Sequence, residues 1–255
     1  SSKLKKTLSL NVKDVLQAPI LYFDSLDSTN NYAAGKIDAD TAHNGLTIIA
    51  KQQSAGKGQR GKIWEDKAGA SLLMSIVIIP KTRIDQQFSF SAAVVVAIAE
   101  AIESFDPEIM VRIKFPNDII INDKKAAGIL IENVLRGNLW THATIGLGLN
   151  IFQTSFPPSL PHAISLRMAS QYNWDLSLLM QKIRSNIIEA TSGFSFGNSV
   201  VDYNERLYKV GQKHFFLQGD KMIEARICGV STEGKLMLRM EDGLIYYFAH
   251  GELEW

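Results

Sequence analysis

From Phe88 to Phe105 the chain is apolar nearly all the way round a helical wheel, interrupted only by Ser89, Ser91, Glu100, Glu103 and Ser104. A helix with no water-facing side must be packed on several sides, so the rest of the chain has to supply layers that cover it. At 255 residues and 46% hydrophobic it has the material for a full core.

The covering elements read as strands. Leu21-Tyr-Phe-Asp24 and Leu46 to Ala50 are short β-prone runs, and the β-branched close of Ser71 to Ile79 marks a buried strand. Between the first two, Asp27-Ser-Thr-Asn30 is rich in helix-capping residues and Asn31-Tyr-Ala-Ala34 continues as helix. Strands are expected around Met110 to Phe115, Ile119 to Ile121 and Ala127 to Val134, and Arg136-Gly-Asn138 turns the chain into a partner strand from Trp140 to Asn150. Leu176 to Ala190 has helical periodicity, with Asp175 or Ser177 as cap. Beyond about Val210 the texture changes to short strands, Lys213 to Leu217, Met222 to Val230, Lys235 to Met240 and Leu244 to Ala249, separated by glycine turns. The fold class is therefore α/β (α+β): a mixed-sheet domain over 1–208, then a small β barrel or sandwich over 209–255.

Net charge is +1, so no global basic field points to nucleic acid. The single cysteine, Cys228, excludes an internal disulfide and a multi-cysteine metal site, and fits a buried small residue in a reducing compartment. The five histidines, at 43, 142, 162, 214 and 250, lack ligand spacing, so no structural metal is expected. Ala92 to Ala99 is far shorter than the roughly 20 residues of a membrane span. The N-terminal Ser-Ser-Lys-Leu-Lys-Lys lacks the apolar segment of a signal peptide. A cytoplasmic protein without membrane contact is the expectation.

The stretch Gly56-Lys-Gly-Gln-Arg-Gly-Lys-Ile-Trp64 has the glycine and lysine spacing of a P-loop, but Ile63 stands where a Mg²⁺-binding hydroxyl belongs and a strand follows where a helix is required. It is instead a loop between strands, carrying Lys57, Arg60 and Lys62, and either a solvated connector or a segment whose amides reach an anion. Ser28, Thr29 and Asn30 cluster hydroxyls and an amide at a helix start, suited to a neutral polar ligand or to ordinary capping. Gln53 stands just before the glycine loop. In Lys114-Phe-Pro-Asn-Asp118, Asn117 and Asp118 offer an amide and a carboxylate suited to Mg²⁺ with phosphate oxygens; a Pro-Asn-Asp turn is the plain alternative. Lys124-Lys125-Ala-Ala-Gly128 puts a lysine just ahead of a strand, where it can turn toward the same cleft. Gly128, Gly146 and Gly148 leave room for close approach, or merely relieve packing, and Asn150 follows them.

Taken in order, Asp27-Ser-Thr-Asn30, Gln53, Gly56 to Gly61 with Trp64, Lys114 to Asp118, Lys125 to Gly128 and Gly146-Leu-Gly-Leu-Asn150 resemble the biotin protein ligase family, from about residue 20 to 150. The resemblance implies a catalytic domain of the biotin/lipoyl ligase type followed by an SH3-like barrel. It implies a two-step reaction in which biotin's carboxylate attacks the α-phosphate of MgATP and a lysine of a biotin carboxyl-carrier domain then takes the biotinyl group. By the same resemblance Lys125 is the main electrostatic catalyst, joined by Asp118 and Lys57. Ser28, Thr29, Asn30, Gln53, Gly56, Lys57, Gly58, Gln59, Lys125, Gly128 and Gly146 fall on the biotin side. Arg60, Trp64, Asn117, Asp118 and Asn150 fall on the nucleotide side, Asp118 also as a Mg²⁺ ligand. The glycine loop corresponds to one that encloses the adenylate.

Some positions depart from the family pattern. The loop usually reads Gly-Arg-Gly-Arg; here Lys57 loses the planar fork and Gln59 loses a charge, which bears on retention of the intermediate. Phe115 replaces a usual tryptophan. Lipoate protein ligase is the nearest rival and shares the adenylation logic, whereas the glycine loop and the compact tail favour biotin. A non-catalytic biotin-binding module would have little use for Lys125. The stretch before Leu21 is too short for the three-helix DNA-binding unit that some family members carry, so no DNA partner is expected.

Overall fold

The computed structural model describes residues 12–255, apart from 62, 65, 66 and 194 and the side chain of Arg60. Seven strands form the main sheet: β1 (Ile20–Phe23), β2 (Thr47–Ala50), β3 (Ser71–Ile78), β4 (Arg112–Lys114), β5 (Asp118–Ile121), β6 (Lys124–Arg136) and β7 (Leu139–Asn150). Their order is β1-β2-β3-β7-β6-β5-β4, with β1 and β2 parallel and the other neighbours antiparallel. Every residue of β3 is buried, as its apolar run requires of a strand paired and covered on both sides. The turn at 137–138 joins β6 to β7, with Gly137 at φ +59°, where a side chain would be strained.

The helices that accompany the two sheets include α1 (Thr29–Asp38), α2 (Gln87–Glu103), α3 (Leu166–Ala169), α4 (Leu176–Thr191) and α5 (Ser199–Glu205). The all-round apolar run is α2, and its residues Phe90, Ala92 to Ala99, Ala101 and Ile102 are all buried. It packs with α4 and α5 and shares one large cluster with Leu72, Met74 and Ile76 of β3 and Ile145, Leu147 and Leu149 of β7. Those residues alternate along their strands and mark one sheet face. The opposite face carries Leu73, Ser75 and Val77 of β3. Part of it is covered by α1, whose Ala33 and Ile37 cluster with Ile48 and Val77; the rest is open to a cleft.

Asp175 caps α4, its carboxylate accepting from Leu178 N at 2.9 Å. Arg184, on the same helix and buried, donates to Thr47 Oγ1 (2.8 Å) and to the carbonyls of Leu16, Ala18 and Gly45 (2.9, 3.1 and 3.2 Å). Burial holds its basicity below the ordinary arginine value. The short helices α3 and α5 were not foreseen; neither is long enough to show a period.

The C-terminal strands β8 (Lys213–Gln218), β9 (Lys221–Val230), β10 (Leu236–Arg239) and β11 (Ile245–Phe248) form a separate antiparallel sheet in the order β11-β10-β9-β8. It is joined to the first part by Asn204 of α5, whose amide donates to Val230 O and whose carbonyl accepts from Val230 N (2.9 and 2.7 Å).

Candidate active site

The cleft floor is set by register. Ser75 of β3 lies opposite Gly146 of β7, which lies opposite Leu130 of β6; one pleat on, Leu73, Gly148, Gly128 and Asp118 make a continuous row. Where Gly128 and Gly148 face each other the sheet has a slot, and the Trp64 ring fills it. A Cβ on Gly148 would lie 2.5 Å from Trp64 Cε2, and one on Gly128 would lie 3.2 Å from Cζ3. Both glycines are thus explained by one indole. Trp64 Nε1 is buried with no hydrogen-bond partner among the described residues.

Lys125 reaches the slot through an irregularity. Ile119 pairs with Ala127 but Ile120 pairs with Lys125, leaving Ala126 as an extra residue. Such a bulge re-aims the neighbouring side chain. The strand therefore starts at Lys124, earlier than its apolar run suggests, and Lys125 lies inside it. Its amide donates to His162 O at 2.7 Å and its carbonyl accepts from Ile164 N at 3.0 Å. Its Nζ lies 2.9 Å from Asp118 Oδ1 and 6.0 Å from the Trp64 ring centre. Below Asp118, the Phe115–Pro116 peptide bond is cis, and the buried Tyr203 hydroxyl donates to Pro116 O at 2.7 Å. Burial, and then the Asp118 charge, raise the Tyr203 pKa well above the usual phenol value, so it serves as a neutral donor.

Ser28 caps α1, accepting from Asn31 N at 3.4 Å. Thr29 donates through its amide (2.7 Å) and hydroxyl (3.1 Å) to Gln53 Oε1. Ser75 Oγ lies 2.7 Å from Thr29 Oγ1 and 2.6 Å from Asn30 Oδ1, and Asn30 Nδ2 donates to Glu132 Oε2 at 2.7 Å. Beside the cap, Asn31 and the Ser28 amide, as hydrogen-bond donors, hold the Asp27 carboxyl below its ordinary value.

A cavity of about 750 Å³ runs over this floor. Its walls include Ser28, Thr29, Asn30 and Gln53 on one side and Lys57, Gly58, Gln59 and Trp64 of the glycine loop above. Asp118, Lys125, Gly128, Gly146 and Asn150 complete the set foreseen from sequence. Gly56 and Asn117 do not lie on its wall. Gly56 is packed where a Cβ would meet Trp64 O at 2.8 Å. Asn117 spends its amide on Ile129 O at 2.6 Å and accepts from Gln59 Nε2, which also donates to Ile129 O at 3.2 Å. Of the two residues read as an amide and a carboxylate suited to Mg²⁺ with phosphate oxygens, Asn117 is hydrogen-bonded to the sheet and Asp118 lies on the cavity wall. Asn150, although on the wall, accepts from Gln153 Nε2 at 3.1 Å and donates to Ile164 O at 3.3 Å. The Arg60 side chain lies outside the described residues.

Several contributors were not foreseen. Ser75, the one polar residue between Leu72 and Ile79, carried a legible signal in that isolation; Glu132 carried none. The far wall comes from residues remote in sequence: Ser159 to Ala163, and the C-terminal segment from Phe248 to Trp255. Lys114 Nζ donates to Trp255 O and lies 5.0 Å from its ring, which also packs on Tyr208, His214 and Phe216.

The residues suit an anion in company with a neutral polar group. Lys57 and Lys125 supply charge, Thr29 and Gln53 supply donors and acceptors, and the half-buried indole supplies a flat apolar surface. Among the described residues there is no group of three or more His, Cys, Asp or Glu side chains able to cage a metal. Asp118 and Glu254 are carboxylates on the cavity wall.

A mixed α/β sheet with a cation-lined cleft over paired glycines defines a protein with a built pocket for a small molecule. Residues 22–150 match the Biotin/lipoate A/B protein ligase family, about half of the chain, and the chain belongs to that family. The bifunctional ligase/repressor BirA of Bacillus spizizenii is 31% identical over 173 residues, which cover 67% of this chain and 53% of that protein. The match thus spans about half the length of that relative. The biotin protein ligase of Aquifex aeolicus, solved with biotin and ATP, superposes with a TM-score of 0.76 at 22% identity, over 92% of this chain and 97% of that one. The Leishmania major biotin protein ligase, solved with biotinyl-5-AMP, superposes with a TM-score of 0.64 at 21% identity, over 90% and 98%. These likenesses establish a shared fold.

Proposed function

We propose that the protein is an ATP-dependent biotin protein ligase that activates biotin as biotinyl-5′-AMP and transfers it to a lysine of a biotin carboxyl-carrier domain. The observation that carries this reading is the meeting of Lys125, the Thr29–Gln53 pair and the slotted Trp64 in one cavity. In the first step a biotin carboxylate oxygen bonds to the α-phosphorus and pyrophosphate leaves. In the second, the carrier's amine attacks the acyl carbon, AMP leaves, and the amine loses a proton.

Lys125 Nζ stands where negative charge builds on carboxylate and phosphate oxygens, and a cation fixed in place there stabilises the transition state. Its backbone clamps and Asp118 fix its position. Thr29 and Gln53, with Ser28, take the neutral ureido ring, which needs both donors and acceptors. Trp64 offers its ring to the adenine. The glycine loop, tied to the sheet through Gln59, covers the mixed anhydride against water. Mg²⁺, bound with ATP, would neutralise phosphate charge, and Asp118 on the cavity wall would be its carboxylate ligand.

The chain divides near 208/209 into a catalytic domain and a C-terminal domain, whose four-stranded sheet is read as SH3-like. ATP as co-substrate suits a cytoplasmic enzyme, and among the described residues no helix is long and apolar enough to cross a membrane. Mass spectrometry of a biotin-carrier domain incubated with the protein, biotin and MgATP tests the reading. One added biotinyl group is expected, with lipoate in place of biotin giving none. No addition from biotin, or addition from lipoate alone, rejects it.

A further inference from the structure

Glu132 is the one carboxylate in the polar chain on the cleft floor, and sequence reasoning gave it no role. It lies on β6 opposite Thr144. One oxygen accepts from Asn30 Nδ2 at 2.7 Å, and the other lies 3.5 Å from Lys57 Nζ. Asn30 is held from its other side as well. Its Oδ1 accepts from Ser75 and lies over Gly146, where a Cβ would come within 2.3 Å of it. Only one orientation of this amide satisfies both neighbours, because its NH₂ must face the carboxylate and its oxygen the hydroxyl.

Ser75 also touches Thr29, and Thr29 bonds Gln53, whose Nε2 lies 3.0 Å from where a Gly56 Cβ would stand. The polar chain Gln53, Thr29, Ser75, Asn30, Glu132, Lys57 therefore leaves the 53–57 segment at one end and returns to it at the other. The two links that Glu132 makes differ in strength. The Asn30 bond is short, charge-assisted and partly buried. The Lys57 pair is long, and both side chains are 42% exposed, so it is weak and screened by salt.

Resting on the ligase reading, we propose that Glu132 is a positioning residue for it, with two separable actions. Through Asn30 it fixes the donor–acceptor order of the chain that receives the neutral ring of the substrate. Through Lys57 it lends a charge that the substrate carboxylate must displace. The first action aids binding and the second opposes it.

Two substitutions separate these actions. Glu132→Gln keeps an oxygen for Asn30 but removes the charge, so Lys57 is fully available to the substrate. Its KM for biotin should fall about threefold at low salt, and the gain should vanish at high salt. Glu132→Ala removes the acceptor as well, leaving the Asn30 amide unpaired, and its KM for biotin should rise about tenfold or more. In both, kcat should change far less than KM. The assay is pyrophosphate release from biotin and MgATP at 50 and 400 mM salt, where the Debye length is about 14 and about 5 Å, with thermal melts confirming folding. A purely structural role moves both variants in the same direction, and that result overturns the proposal. If Glu132→Ala does not fold, Glu132→Gln still decides, since a KM unchanged or raised at low salt overturns it. A wild-type protein that releases no pyrophosphate rejects the ligase reading itself, a failure seen before any variant is compared.

Discussion

A lysine used for its charge must have a fixed root, because its four-carbon stem is flexible. Lys125 has one: its amide and carbonyl are both bonded to the 162–164 segment, and the bulge at Ala126 turns its side chain toward Asp118. Lys125→Ala should therefore leave the fold intact and slow adenylate formation by about 10²–10³, the usual loss for one oxyanion-type donor. Pyrophosphate release within a few-fold of wild type is the result that contradicts this. Gly148 is as exacting in the opposite sense. In Gly148→Ala the new Cβ would lie 2.5 Å from Trp64 Cε2, so the indole must leave its slot. The expected outcome is a KM for ATP raised about tenfold with the KM for biotin little changed, and tryptophan emission shifted to the red as the ring gains water. Sequence made these residues legible because lysine and glycine announce chemistry by type. Glu132 and Arg184 were not legible, since a charged residue in a strand or helix ordinarily faces solvent. Only tertiary packing turns Arg184 onto the carbonyls of Leu16, Ala18 and Gly45.

Among the elements, those with a long or strong period were foreseen in place: α2, α4, β3, the β6–β7 hairpin and the four strands of the second sheet. Strand ends and short helices were not, because a bulge or a single helical turn leaves no periodic trace. The glycine loop occupies a middle ground. Its length and cations were legible, whereas its anchors, Gln59 on Ile129 O and the Trp64 amide on Gly56 O at 2.9 Å, were not. These anchors offset part of the roughly 1–2 kcal/mol per residue that ordering the loop costs. Substrate contacts have to supply the remainder. Limited trypsin digestion at Lys57, Arg60 and Lys62 should accordingly be slowed by biotin plus ATP, and less by ATP alone. A cleavage rate indifferent to both makes the loop a static connector.

At the scale of the molecule, the second sheet serves the first by closing the cavity with its final segment, anchored where Trp255 meets His214 and Lys114. Burial, then the Lys209 and Lys114 charges, hold His214 below the ordinary histidine value of 6.5. The unfolded chain thus takes up a proton at a pH where the folded sheet does not. Stability is full above about 6.5 and is lost as pH falls below it toward the folded value. Thermal melts between pH 5 and 8 should show this decline in wild type and a flatter one in His214→Gln; equal slopes exclude His214 as its source. The order of the main sheet also governs time. β3 has β2 on one edge and β7 on the other, with Ser71 opposite Asn150, so the floor requires two segments far apart along the chain to find each other. Such non-local pairing is slow and comes late in folding. Ser75 has to wait for Gly146, and Gly128 has no slot to share until Gly148 lies beside it. A ligand present during refolding then has little to hold until the transition state is passed, and it should lengthen the life of the folded protein without hastening its birth.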